Sequence, residues 1–313
     1  VTTLAGGNTV NSAHNYIEKG TVVLTGGSAM QDDNDIHVLR GGTLSIANTE
    51  TIGQLYMQRG AITFIGAGQT LTVDDAGVQL IAGSFQGSGN LTLGGGNFMA
   101  MYGTNTNTGA LQLGRLSDNS SGGIQTANLA NAIGSFSSVT LGAGTGAGSI
   151  DYVGAGETYA GNIILAGTAA TITSTGSNRI SANGSGALIL SGTITAAASN
   201  TLQLTGQTGG YFNPITNQIT GVISQGANVL SIAMGNVGDD DRYGISGRWA
   251  LTNAGNDFTG SITVNVGMLE LMGSLGDGSE NTSVMGNTNV ARTITLGRNN
   301  FNGRRYDQYR NTD

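Results

Sequence analysis

Apolar and polar residues alternate in short runs along most of the chain, and many of these runs begin or end at glycine. Gly42 to Ile46 reads GTLSI, Gln69 to Val73 QTLTV, Gly89 to Leu93 GNLTL and Gly109 to Leu113 GALQL. The same pattern returns at Gly186 to Leu190 (GALIL), Asn200 to Leu204 (NTLQL), Gly260 to Val264 (GSITV) and Arg292 to Leu296 (RTITL). A period of two puts Leu, Ile and Val on one face and Thr, Ser or Gln on the other, which predicts short half-buried strands. No segment carries a convincing amphipathic helix. Successive strand motifs start about 18 to 28 residues apart, a repeat length whose units fold only when stacked. Stacking same-direction strands lets each backbone pair with the coil above and below while the apolar side chains form interior columns. The expected fold is therefore all-β, an elongated parallel β-solenoid of about 12 to 15 coils with an axis of about 60 to 70 Å.

A β-sandwich also uses short alternating strands. The strand motifs here resemble one another too closely for that fold, and hairpin dipeptides and proline are scarce. Composition points the same way. Glycine supplies 54 of the 313 residues, proline one and cysteine none. Collagen would need glycine at every third position with abundant proline, and a disordered linker would lack the Val, Ile and Leu runs. Frequent tight turns between β-rich segments account for the glycine. Only 10% of residues are charged and the formal charge is −7, which argues against nucleic acid and anionic membranes as partners. No apolar run is long enough for a transmembrane helix. The chain begins at Val1 without a basic-then-apolar leader, as expected of a processed protein or an internal fragment.

The candidate chemistry is sparse. Three acidic clusters stand out: Asp32, Asp33 and Asp35; Asp74 and Asp75; and Asp239, Asp240 and Asp241. All are expected between strand motifs, where Asp side chains hydrogen-bond nearby backbone. Asp32, Asp33, Asp35, Asp239, Asp240 and Asp241 are also candidate ligands for calcium, a hard cation that takes six to eight oxygens. A pair of these carboxylates is the alternative acid–base set for cleaving polysaccharides. The two histidines, His14 and His37, are too few to suggest a nucleophilic triad without further support. Alternation in the run Ile36 to Leu39 turns His37 away from the apolar face. Gly94 to Gly96 lacks the following helix and Lys-Ser/Thr of a phosphate loop and reads as a turn. No catalytic residue and no cofactor other than calcium is expected.

The pattern breaks twice. Tyr211 to Ile215 holds the lone proline, Pro214, beside two aromatics and is expected to form a protruding loop. From Arg298 to Asp313 the repeat stops, and Arg298, Arg304, Arg305 and Arg310 gather with Phe301, Tyr306 and Tyr309. The expected organisation is a solenoid over residues 1–297 and an Arg/Tyr-rich loop or contact segment over 298–313.

Gly247 to Leu271 reads GRWALTNAGNDFTGSITVNVGMLEL. It resembles the passenger-associated repeat of bacterial autotransporters, in which a strand, an Asn-aromatic-Thr-Gly turn, a second strand and a Gly-Thr-Leu-type strand follow in order. Trp249 to Thr252, Asn256 to Gly260, Ser261 to Val264 and Gly267 to Leu271 match those parts, and the coils from Tyr159 to Gly206 resemble the degenerate ones that precede such repeats. Trp249 and Phe258 are expected to pack within or between coils. The resemblance implies a right-handed parallel β-helix displayed outside the cell as a stalk or adhesin segment, with no particular ligand. The family's C-terminal membrane barrel has no counterpart in the pattern of this sequence. The expected function is thus a structural or adhesive element, extracellular or on a bacterial cell surface. Its expected partners are other copies or further segments, met through the solenoid ends or the Arg/Tyr tail, and surface glycans. The alternative is a polysaccharide-binding or polysaccharide-cleaving β-helix.

Overall fold

The computed structural model describes residues 1–5, 14–115, 117, 120–167, 178–206, 209–210, 213–235, 247–265, 267–275 and 281–296. The Arg/Tyr-rich segment 298–313 lies outside them.

The alternating runs form parallel strands that stack into the expected solenoid. One sheet of 12 strands runs from His14–Ile17 to Ile294–Leu296 and forms a long face. An eight-stranded sheet forms a second wall, and two five-stranded sheets, one N-terminal and one C-terminal, share the third. A single coil shows how the chain visits them. Asp35–Val38 lies on the long face, Gly42–Ile46 on the N-terminal five-stranded sheet, and Glu50–Ile52 on the eight-stranded sheet; Leu55–Met57 then returns to the long face one level on. Twelve levels agree with the expected coil number and, at about 4.8 Å per level, span roughly 50–55 Å. Sandwich pairing is absent from these sheets, since every strand pair in them is parallel.

In-register stacking makes the core. On the eight-stranded sheet Leu71, Leu91, Leu111, Val139, Ile163, Ile194 and Ile223 follow one another in a single buried column. Thr72, Thr92, Gln112 and Thr140 stack between those inward positions, toward solvent. Trp249 and Phe258 are fully buried, and the Trp249 indole donates to the Thr205 carbonyl at 3.0 Å.

Glycine has a second use that composition alone did not reveal. At the corners, coils approach so closely that a side chain has no room. A Cβ on Gly89 would overlap the carbonyl oxygen of Gly66, and one on Gly109 that of Gly89. Likewise a Cβ on Gly192 would overlap the carbonyl oxygen of Gly161, and one on Gly221 that of Gly192. These columns of glycine are a packing requirement and are independent of turn geometry.

Buried amides bind coils together where the ladders end. Asn217 accepts from the Leu188 N–H at 2.9 Å and donates to the Arg248 carbonyl at 3.2 Å. Asn256 accepts from Ile223 N–H at 2.8 Å and donates to Val284 carbonyl at 3.3 Å. Each spans three levels with one side chain and satisfies two buried backbone groups.

The shared wall is interrupted, and here the structure departs from the all-strand expectation. Between the strands Ser84–Gly87 and Ala155–Tyr159 stands a helix of five residues, Leu129–Ile133. Asn128 caps it by accepting from Asn131 N–H at 2.9 Å, and Leu129, Ala132 and Ile133 are buried. One turn is too short to display a helical period in sequence. Asn105 joins the helix to the strand before it, accepting from Phe85 N–H at 2.8 Å and donating to the Ala132 carbonyl at 2.6 Å. Farther along, Gly209–Gly210 pairs antiparallel with Asn213–Pro214, so the segment around Pro214 does leave the coil pattern. Tyr211 and Phe212 lie outside the described residues. No described helix is long and apolar enough to cross a membrane.

Substituting Gly192→Ala should lower the melting temperature by the equivalent of about 1–3 kcal/mol, because the new methyl group must push two coils apart. Thr195→Val, on the solvent side of the adjoining strand, should stay within about 0.5 kcal/mol. Thermal unfolding followed by circular dichroism checks the contrast.

Candidate functional site

Polar chemistry concentrates on the outer surface of the long face at its N-terminal end. His14–Ile17, Asp35–Val38 and Leu55–Met57 are consecutive strands there, and register places His14 against Asp35 and Tyr16 against His37, with Tyr56 above. Alternation turns these side chains outward while Ile17, Val38 and Met57 point to the core. The expected outward direction of His37 is therefore found, but the ring is not simply solvated. Tyr16 stacks on it at 4.8 Å between ring centroids, and Tyr56 stacks on its other side at 4.6 Å with only 6° between the planes. His14 meets it edge-on at 5.5 Å. His37 Nε2 is buried and has no hydrogen-bond partner. Burial, the neighbouring His14 and a smaller opposing pull from Asp35 together hold the His37 imidazole below its ordinary pKa.

Asp35 was expected between strands but opens one. Its Oδ1 accepts from Gln54 N–H at 3.1 Å, and its Oδ2 lies 3.2 Å from His14 Nδ1. Gln54 continues the network, accepting from the Tyr56 hydroxyl at 2.6 Å and donating to Asp75 at 3.0 Å. Among the described residues, His14, Asp35 and His37 form the one group of three potential metal ligands whose donor atoms converge, all within 4.8 Å of one another. Asp32 and Asp33 are exposed in the preceding turn and do not join that group. Asp74 forms an ion pair with Arg115. Asp239, Asp240 and Asp241 lie outside the described residues.

The turn that carries Asp32 and Asp33 is held from beneath by a carboxylate that sequence reasoning passed over. Glu50 is buried, and its two oxygens accept from the N–H groups of Ala29 and Met30, each at 3.1 Å. A lone Glu preceding a strand motif offers no sequence signal of such a role. Burial pushes this carboxyl above its ordinary pKa, the two N–H donors pull it partly back, and Asp32 adds a smaller upward push.

Beside the aromatic column runs an open groove of about 460 Å³, lined by His37, Tyr56, Arg40, Arg59 and Leu80 among others. Leu80 and its neighbour Val78 are more than half exposed, as are Tyr16 and Tyr102. Two exposed arginines, an aromatic surface and apolar side chains give this strip the chemistry to receive a flat, hydroxyl-rich or acidic ligand. The chain matches no family model, and it matches no curated protein and no solved structure.

The folded chain holds the Glu50 proton more tightly than the unfolded chain does. Its contribution to stability is therefore full below the ordinary carboxylate pKa and is lost as the pH rises through the raised folded-state value. Glu50→Gln should flatten the dependence of melting temperature on pH above about pH 4.3. It should also cost about 1–3 kcal/mol, because its NH₂ would face a backbone N–H and leave that donor unpaired. Thermal melts of both proteins across the acidic range measure each effect.

Proposed function

We propose that this chain is a structural or adhesive segment of an extracellular or cell-surface bacterial protein, in which the solenoid serves as a rod. The observation that carries the reading is the uninterrupted ladder of 12 parallel strands with one continuous apolar core beneath it. Such a fold converts chain length directly into distance, because each coil adds one level and contacts mainly its neighbours. The sparse charge and the Thr, Ser, Asn and Gln surface suit a stalk better than a cytosolic globule.

The likeness of Gly247 to Leu271 to the passenger-associated repeat supports the extracellular part of the proposal. In that segment Arg248–Leu251 and Met268–Leu271 stack directly on each other, with Ile262–Val264 on the long face between them in sequence. The Asn and aromatic of the turn are Asn256, bridging Ile223 and Val284, and Phe258, fully buried. The segment thus corresponds to one coil, with its turn residues placed as coil-joining elements.

Association through the solenoid ends extends the same reading. Among the described residues the two terminal strands of the long face, His14–Ile17 and Ile294–Leu296, each have a single neighbour in that sheet. Ile294 and Leu296 are exposed at 47% and 76%. An open strand edge beside apolar side chains is a template for another strand, supplied by a further segment or by a second copy.

A second reading, binding of a polysaccharide, is favoured by the groove alongside Tyr56, Arg40 and Arg59. Incubation with acidic and neutral polysaccharides separates the two. The rod proposal expects elongated particles in negative-stain electron microscopy and no released oligosaccharide. Release that Asp35→Ala abolishes would overturn it. Retention on an immobilised acidic glycan, weakened about tenfold by Tyr56→Ala as expected for loss of an aromatic contact worth about 1.4 kcal/mol, would establish binding without cleavage. Compact monomers at high protein concentration would count against end-to-end assembly.

A further inference from the structure

Of the side-chain clusters on the described surface, one has donor types and spacing that fit a ligand no part of the proposed function requires. We infer that His14, Asp35 and His37 form a binding site for a divalent transition-metal ion of the Zn²⁺ or Cu²⁺ type.

The donor set decides the chemical class. Two imidazoles and one carboxylate suit Zn²⁺ and Cu²⁺, whereas Ca²⁺ and Mg²⁺ favour all-oxygen shells. Spacing agrees with that class. Two ligands on a tetrahedral zinc ion, each about 2.0–2.2 Å from the metal, stand about 3.3 Å apart. His14 Nδ1 and Asp35 Oδ2 are separated by 3.2 Å. No separation in the set exceeds 4.8 Å.

The surroundings hold the donors in place. Asp35 is oriented by the Gln54 N–H on Oδ1, which leaves Oδ2 on the His14 side. Tyr16 and Tyr56 clamp the His37 ring from both faces and fix its plane. His37 Nε2 carries no hydrogen bond that coordination would have to break. Supporting groups of this kind orient ligands in known metal centres. His14 is 58% exposed at its side chain, so water can complete the coordination sphere. The backbone supplies the rest of the arrangement, because His14 and Asp35 are register partners on adjacent coils and His37 lies two positions along the same outward row.

Titration of the purified chain with Zn²⁺ and with Cu²⁺ by calorimetry, together with electron paramagnetic resonance of the Cu²⁺ form, tests the site. The expected result is one equivalent bound, a spectrum with nitrogen coupling from two imidazoles, and no displacement by excess Ca²⁺. His37→Phe keeps an aromatic ring in the column, and His14→Gln changes an exposed side chain, so both variants should melt like the parent without metal. Each should weaken binding at least about tenfold. Absence of binding, or binding of equal strength in parent and either variant, overturns the inference. Nitrogen coupling that persists unchanged in His37→Phe would overturn it as well.

Discussion

Backbone hydrogen bonds in this molecule run along the solenoid axis, so each residue is obliged to sit about 4.8 Å above its counterpart in the previous coil. Like must then stack on like. The apolar column from Leu71 to Ile223 follows from that spacing, and so do the corner glycines, where a carbonyl of one coil occupies the space a side chain of the next would need. Glycine enrichment and strand resemblance are two outcomes of one geometric rule.

The interior also has to absorb polar groups wherever a ladder stops. Asn105, Asn217 and Asn256 do so by accepting from one coil and donating to another, a task suited to an amide, which carries both functions. Glu50 handles a different case, two adjacent N–H groups with no carbonyl in need of a donor, and a carboxylate has two acceptors for them. Desolvation of that charge opposes the benefit, which is why its proton affinity rises. The helix Leu129–Ile133 marks the one place in the described part where a wall changes structure, and it is tied on both sides, through Asn105 to the preceding strand and by its Leu129 N–H to Glu157 at 2.5 Å.

Much of the architecture was legible because alternation is local. Gly42 to Ile46 and Gly89 to Leu93 announce strands, and their mutual likeness announces stacking. What joins residues across coils is harder to read, because coil length varies: Ile36 stacks on Leu55 but Ile262 on Ile294. The buried roles of Asn217 and Asn256 look, in sequence, like ordinary turn asparagines. Along the chain Asp32, Asp33 and Asp35 form one acidic cluster, whereas the convergent set takes only Asp35 and adds His37 from the same strand and His14 from the neighbouring one. Aligning Tyr16, His37 and Tyr56 at one-coil offsets was the signal that would have exposed it.

The lone tryptophan gives this stack an optical address. Trp249 is sealed in the C-terminal coils, while the Tyr16–His37–Tyr56 column stands at the opposite end. Indole fluorescence therefore reports the C-terminal end of the rod, whereas far-ultraviolet dichroism of the strands reports the stack as a whole. Whether unfolding sweeps in from a terminus or takes the whole stack at once can be read from unlabelled protein, by asking if the two signals change together.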